Sequence, residues 1–306
     1  MKKSAFIWQN GNFVNWDEAK THVLSHSLHY GTAVFEGIRA YETDKGPAIF
    51  KARPHFKRLF DSAKIYGLYL DYTLENLIEA TKELILKNKL QSCYIRPLAY
   101  MGYGSMGLNP PNQALDIIIA AWEWGSYLGE EGLKSGIRCK MSSWSRLDST
   151  ILPPTAKASG QYLNSALAKS EALRCGYDEA IMLNRKGTVA EGPGENLFMV
   201  QDNTLITPPV SDNVLKGINA QSIIAIAKKL GIKIEYRSII RDELFLADEL
   251  FFTGTAAEVT PIREIDARVI GNGSRGPITE TLQAHFFDIV KGQSSLFPEW
   301  LTYVSH

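Results

Sequence analysis

PPTAKASGQYLNS, running from Pro153 to Ser165, is the stretch on which the reading of the fold turns. It sets Lys157 between Ala156 and Ala158, follows with Ser159 and Gly160, and brings no acid within several residues. A lysine among small residues is unusual at a solvated ion-pair position. It fits a side chain that points into a cavity where something bulky approaches. Partial desolvation weakens the charged form and frees the amine for Schiff-base chemistry. A plainer reading also satisfies this segment alone: a lysine on a loop that leads into a helix spanning Gln161 to Arg174.

Working outward, Thr188 to Phe198 reads TVAEGPGENLF, where Glu191 and Glu195 flank a Gly-Pro-Gly turn ahead of an apolar strand. Such a turn fixes the backbone and aims one carboxylate into a site, or else both acids are solvated turn residues. Lys216-Gly217-Ile218-Asn219 opens a helix after the Pro208-Pro209 loop, and the free amides of a helix start suit a phosphate. Phe252-Thr253-Gly254-Thr255-Ala256-Ala257 is a strand that runs out into small hydroxylated residues, whose amides also suit an anion. Each of these alone is an ordinary cap or turn signal.

The composition narrows the field. The chain has 306 residues, 45% hydrophobic and 22% charged, with 33 Lys+Arg balancing 33 Asp+Glu. Zero net charge and no long basic run argue against a nucleic-acid or membrane-surface partner. Gln9 and Asn10 interrupt the first apolar stretch before it forms a signal-peptide core, and nothing approaches the roughly 20 apolar residues of a bilayer span. Cys93, Cys139 and Cys175 are widely spaced with no CxxC pairing, which reads as a reducing, cytoplasmic protein without a disulfide frame.

The pattern along the chain alternates helix and strand. Arg53 to Leu68 and Leu74 to Leu90 read as helices, Cys93 to Met101 and Leu115 to Trp122 as strands. The second half reads as strands near 178–184, 196–201, 232–236 and 249–252, with helices over Asn219 to Leu230 and Ile278 to Val290. This mixed order predicts an α/β mixed (α+β) fold in two domains. The expected division is a small N-terminal domain over 1–127, a linker at 128–136 within GSYLGEEGLKSG, and a larger C-terminal domain over 137–306 that carries Lys157.

Two segments imitate the dinucleotide fingerprint G-x-G-x-x-G. GYGSMG (Gly102 to Gly107) runs into Asn109-Pro110-Pro111 where a helix is required, so it reads as a Gly-rich turn. GNGSRG (Gly271 to Gly276) precedes a helix but leaves too little chain for the returning strand. His22, His26 and His29 share one face only if THVLSHSLHYG is helical. With no acid at ligand spacing, the segment reads as a hydrogen-bonding loop beside a site, with no metal.

Taken together the segments resemble the fold-type IV, pyridoxal-phosphate-dependent aminotransferases, and among them the branched-chain amino-acid aminotransferases. The resemblance rests on HYGTAVFEGIRAY (His29 to Tyr41), HFKRL (His55 to Leu59), SCYIRPL (Ser92 to Leu98) and WEWGSYLG (Trp122 to Gly129). AKASGQYLNS, AEGPGENLF, KGIN and FTGTAAEVTPIRE (Phe252 to Glu264) complete it, so it covers nearly the whole chain.

The resemblance implies that Lys157 holds pyridoxal 5'-phosphate as an internal aldimine and then moves the proton between substrate Cα and the cofactor. It implies that Glu191 faces the pyridine nitrogen and that Tyr162 bonds the cofactor's phenolic oxygen. Arg58 grips the phosphate, with Gly217, the amides of Ile218 and Asn219, and Thr255. The family more often has Thr where this chain has Asn219; an Asn can still cap the helix, so the backbone amide contact to the phosphate is expected to survive without the hydroxyl. The substrate pocket implied is Phe35, Gly37, Tyr94, Arg96, Leu108, Trp124 and Tyr162, with Tyr30, Leu108 and Tyr127 from a partner subunit. Tyr94, Thr255 and Ala256 meet the α-carboxylate, and Arg96 pairs with the γ-carboxylate of glutamate. The implied reaction is ping-pong transamination of leucine, isoleucine and valine with 2-oxoglutarate. The cofactor is expected in the cleft between the two domains of a homodimer, with a trimer of dimers left open. Rivals within the fold are a D-amino-acid aminotransferase and an aminodeoxychorismate-type lyase; a non-catalytic cofactor-binding scaffold is the reading from another class.

Overall fold

The computed structural model describes residues 2–109, 115–125 and 129–304. They form two compact units, one made of Met1–Trp124, Ala156–Gly160 and Ile289–His306, the other of Gly125–Thr155 and Gln161–Asp288.

The first unit holds β1 (Phe6–Gln9), β2 (Asn12–Asn15), α1 (His26–Tyr30), β3 (Ala33–Phe35), β4 (Ile38–Tyr41) and β5 (Ala48–Phe50). It continues with α2 (Ala52–Ile65), α3 (Leu74–Lys87), β6 (Cys93–Met101) and β7 (Leu115–Trp122). These strands and the C-terminal strand Leu301–Tyr303 make an eight-stranded antiparallel sheet with β6 and β7 at its middle. Successive strand side chains point to opposite faces. Cys93, Ile95 and Ala99 of β6, with Ile117, Ile119 and Ala121 of β7, therefore share one face and pack with Phe56, Leu59, Leu77 and Leu84 of the helices. The opposite face presents Tyr94 beside Trp122, Arg96 beside Ala120, and Leu98 beside Ile118.

Pro97 in a central strand removes a ladder donor, a defect normally kept to edges and irregularities. Here β6 pairs with β4 through Ile95 and with β3 from Leu98 onward, and Pro97 falls at the handover. Its carbonyl accepts the amide of Glu36, which stands in the break between β3 and β4 (2.9 Å).

The second unit holds α4 (Gly129–Ser135), β8 (Ile137–Met141), α5 (Tyr162–Arg174), β9 (Glu179–Ile181), β10 (Asn196–Gln201) and β11 (Thr204–Thr207). It continues with α6 (Ile218–Lys229), β12 (Lys233–Tyr236), β13 (Glu249–Gly254), β14 (Glu258–Ile265), β15 (Arg268–Val269) and α7 (Pro277–Val290). Its sheet runs β12-β11-β10-β13-β14-β8-β9 with β15 on β14, and mixes parallel with antiparallel pairs. The mixed pairing in this sheet and the antiparallel first sheet are the α+β arrangement expected from the sequence.

Three expectations change. The expected linker contains α4, tied down where Gln283 Nε2 donates to the Leu133 carbonyl (2.9 Å). No single cut separates the units: the C-terminal strand pairs with β5, so 289–306 group with the first unit. Residues 156–160, with Lys157, also group with the first unit, because Ala158 bridges to Val34. Finally, the His22 to His29 segment is not all loop. His26 opens α1, which Gly31 ends in the left-handed conformation at φ +69.

Phe56 is fully buried under the first sheet. Phe56→Ala is expected to cost about 3–5 kcal/mol, read as a lower urea midpoint with an unchanged denaturant slope.

Candidate active site

In the first unit, Lys157 is anchored through its backbone. Its carbonyl accepts the amide of Phe35 (3.0 Å), and its amide donates to Ser62 Oγ on α2 (3.0 Å). The half-buried amine lies 4.9 Å from the centre of the Phe35 ring. Arg96 also approaches that ring, its guanidinium carbon 4.8 Å from the same centre. Arg96 Nη2 donates to Tyr94 Oη (2.9 Å), and Tyr94 packs on Trp124 with ring centres 4.9 Å apart. Gly37 is required beneath this group, since a Cβ there would sit 2.1 Å from Tyr94 Oη. Lys157, Phe35, Gly37, Tyr94, Arg96 and Trp124 thus form one contiguous surface on a face that also carries a cation. Arg96 Nε is buried with no hydrogen-bond partner.

Arg58 stands one turn before Ser62 on α2 and forks onto Glu36, Nε to Oε1 at 2.6 Å and Nη2 to Oε2 at 2.8 Å. His55 Nδ1 donates to the same Oε2 (2.7 Å). Burial alone would raise the Glu36 carboxyl, but the Arg58 guanidinium and then His55 outweigh it and hold the carboxyl down at about 2. Burial lowers His55, so the ring is neutral and Nδ1 carries its hydrogen.

Tyr30 and Leu108 do not join this group within one chain. Leu108 is 86% exposed and Tyr30 43% exposed. Both belong to segments held by His26, whose Nε2 bonds the Gly107 carbonyl (2.6 Å) and whose Nδ1 bonds Thr32 Oγ1 (2.7 Å). His22 packs at a tilt against Tyr103 and His29 bonds the Val23 carbonyl, so the three imidazoles serve different partners. Tyr127 lies outside the described residues.

In the second unit, Glu191 is buried and both of its carboxylate oxygens accept hydrogen bonds. Oε1 accepts from Arg146 Nε (2.8 Å), and Oε2 accepts from Asn196 Nδ2 and the Leu215 amide (3.0 Å each). Arg146, itself buried, is a site residue that the sequence reading missed. The segment SWSRLDST offers no local pattern that would mark it; the only available signal was the need of a buried acid for a cation.

Helix α6 starts at Ile218 with Gly217 as N-cap and no side-chain cap. The expectation that Asn219 caps this helix is therefore corrected. Asn219 is the second helical residue, and its Nδ2 donates to the Gly254 carbonyl (3.0 Å), tying α6 to the end of β13. Its Oδ1 is buried without a hydrogen-bond partner. A Cβ at Gly217 would lie 1.8 Å from Asn196 Oδ1, so only glycine fits. Thr255 and Ala256 occupy the turn between β13 and β14, half-buried, held where Thr253 Oγ1 donates to the Glu258 carbonyl (2.7 Å). Tyr162 is the half-buried first residue of α5.

The second fingerprint imitation also finds its explanation here. Helix α7 follows GNGSRG, but its first amides are taken by Glu249, which accepts from Ile278 (2.9 Å) and Thr279 (2.7 Å).

Residues 33–265 match the amino-transferase class IV family, and the chain belongs to it. The branched-chain-amino-acid aminotransferase of Escherichia coli is 48% identical over 305 residues, 99% of each chain. The crystal structure of an E. coli branched-chain amino acid aminotransferase superposes with a TM-score of 0.97, covering 99% of this chain and 100% of that one. The branched-chain amino acid aminotransferase of Thermobaculum terrenum, solved in its PLP-form, is 35% identical with a TM-score of 0.93 and full coverage of both chains.

Glu195 provides a test of the second unit's electrostatics. Burial and then the neighbouring Glu179 carboxylate push it up to about 8, against the Gly194 amide and Lys169, with Glu191 adding to the rise. The folded value lies above the ordinary 4.5. The folded chain therefore keeps a proton that the unfolded chain gives up, a contribution complete below about pH 4.5 and lost as pH rises through about 8. Subtracting the stability–pH curve of Glu195→Gln from that of the parent should leave a decline confined to this window; a flat difference would contradict the assignment.

Proposed function

We propose that the chain transfers the amino group of leucine, isoleucine or valine to 2-oxoglutarate, in two alternating half-reactions that yield the branched 2-oxo acid and L-glutamate. It is an aminotransferase that works with pyridoxal 5'-phosphate. The observation that carries the substrate reading is the surface beside Lys157. Phe35, Tyr94 and Trp124 offer an apolar wall to a branched side chain, and Arg96 adds one half-buried cation for the second carboxylate of glutamate.

The residues present fit the cofactor. A phosphorylated pyridine aldehyde needs an amine, a carboxylate for its ring nitrogen and a cationic, amide-rich cradle for its phosphate. Lys157, Glu191, Arg58 and the uncapped start of α6 at Gly217 are of those kinds. The unpartnered Oδ1 of Asn219 is an acceptor and has no use for a phosphate, so the Asn219 contact is assigned to its backbone amide. When bound, pyridoxal phosphate supplies an electron-accepting ring that draws off the pair left by the departing Cα proton.

The chain's own residues do the rest. Lys157 would hold the cofactor through its amine and, once freed, would take and return the proton at the substrate Cα. Glu191, braced by Arg146, Asn196 and the Leu215 amide, keeps the ring nitrogen protonated. Tyr162 bonds the phenolic oxygen; Arg58, Ile218, Asn219 and Thr255 hold the phosphate. Tyr94 bonds the α-carboxylate with the amides of Thr255 and Ala256. Because Arg96 donates to Tyr94 Oη, the phenol becomes a better donor in its turn. The exposed Tyr30 and Leu108 complete the pocket of a second copy in a homodimer. No described helix is long and apolar enough to cross a membrane. Free buried Cys93 and Cys139 suit the reducing cytoplasm.

Borohydride reduction followed by peptide mapping should place the pyridoxyl label on Lys157, and Lys157→Ala should lose both the label and turnover of L-leucine with 2-oxoglutarate. Label on another lysine, or turnover of D-alanine in place of L-leucine, contradicts the reading. Arg96→Ala should lower kcat/KM for glutamate about 10-fold or more beyond its effect on leucine, the value of one charge-assisted hydrogen bond. Equal losses for the two substrates would remove Arg96 from the role of carboxylate partner.

A further inference from the structure

We infer that Glu36 and His55 are positioning residues for cofactor retention, which hold Arg58 in the one orientation that suits the phosphate. The inference rests on the proposed role of Arg58 and adds two residues to which the sequence reading gave no part.

Three features carry it. Glu36 is fully buried at the break between β3 and β4, pinned there where its backbone N–H donates a hydrogen bond to the Pro97 carbonyl. Its carboxylate cannot move to follow Arg58; Arg58 must come to it. The contact is two-pronged, Nε to Oε1 and Nη2 to Oε2, which fixes both the position and the plane of the guanidinium, as one prong would not. His55 then fixes the carboxylate from a third side. His55 and Arg58 are three residues apart on α2 and so lie on one face of the helix, reaching the same Oε2.

The chemistry explains why the group is built from these types. An arginine aimed at a phosphate without a counter-charge leaves a partly buried cation unpaired whenever the cofactor is away. Glu36 supplies the counter-charge on the side away from solvent, with 0% side-chain exposure against 13% for Arg58. A neutral histidine as the second donor adds a hydrogen bond without a second positive charge. A lysine there would overcharge the cluster beside Lys157, whose charge already bears on His55. Ser62, four residues after Arg58, bonds the Lys157 amide. One face of α2 therefore sets both the lysine backbone and the arginine fork.

The test compares two cofactors. Full-length enzyme freed of cofactor is titrated with pyridoxal phosphate and, separately, with pyridoxal, which lacks the phosphate; borohydride-trapped pyridoxyl-Lys157 reports occupancy. In Glu36→Gln the new amide turns N–H toward the N–H of Arg58 or His55, so the fork opens. Affinity for pyridoxal phosphate should fall about 10- to 100-fold, the scale of one hydrogen bond to a charged group, while affinity for pyridoxal, which offers the fork no phosphate, stays close to that of the parent. His55→Leu should shift the same ratio in the same direction by a smaller factor. His55→Gln, which keeps a donor, should recover part of it.

An unchanged affinity for pyridoxal phosphate in both Glu36→Gln and His55→Leu would overturn the inference. So would an equal loss for pyridoxal, because a merely structural role damages both complexes alike. If Glu36→Gln does not fold, the His55 pair decides by the same ratio. If the parent enzyme takes no pyridoxyl label on Lys157, the functional reading falls and this inference with it, a result distinguishable from failure in the variants alone.

Discussion

The first unit depends on how a five-residue segment, Ala156–Gly160, is held against its sheet. Lys157 gives its carbonyl to the strand end at Phe35 and its amide to Ser62, while Ala158 bridges to Val34. A Cβ on Gly31 would fall 2.9 Å from Gly160 Cα, so backbone meets backbone there with no room for a side chain. These contacts place the amine over Phe35 and align it with a surface that continues through Arg96, Tyr94 and Trp124. A flexible four-carbon side chain gains a fixed origin because the peptide units on either side of its Cα are both hydrogen-bonded.

Charge is placed with the same care as the backbone. A chain with no net charge buries Glu36, Glu191, Glu195 and Arg146, and the three acids do not share one kind of surroundings. Glu36 and Glu191 face guanidinium groups, whereas Glu195 has like charges for neighbours and keeps its proton into the neutral range. Two glutamates four residues apart in one turn thus have opposite surroundings. Only Glu191 has the partners that a permanently charged carboxylate requires.

The long elements were legible because each runs through several periods of its pattern. β6 and β7 begin and end where their apolar, β-rich runs place them, and α2 and α3 follow their helical spacing but stop three residues before the ends read from the sequence. The three- and four-residue strands β1 to β5 contain at most two repeats, too few to distinguish from loop, and their pairing comes from the sheet. Among the candidate site residues, Lys157 and Glu191 stand in distinctive local settings, whereas Arg58 is reached only through the family resemblance. Arg146 and the Glu36–His55 pair stand in no such setting, since their meaning lies in contacts across 45, 22 and 19 positions of sequence. Asn219 shows the limit from the other direction. A residue type that often caps helices here bonds a neighbouring strand, because the backbone had already placed Gly217 at the cap.

Glu249 has a consequence beyond closing one helix. Every helix start is a potential host for anions, and a protein that must seat a single phosphate contains several. Here α7 has been given a buried carboxylate of its own, and α3 a reciprocal Thr73–Asn76 box. Those ends are already occupied, while α6 opens on a bare glycine. A free phosphate therefore meets competition from within the chain at α7 and α3, and at those two helix ends the wrong address is refused by prior occupancy.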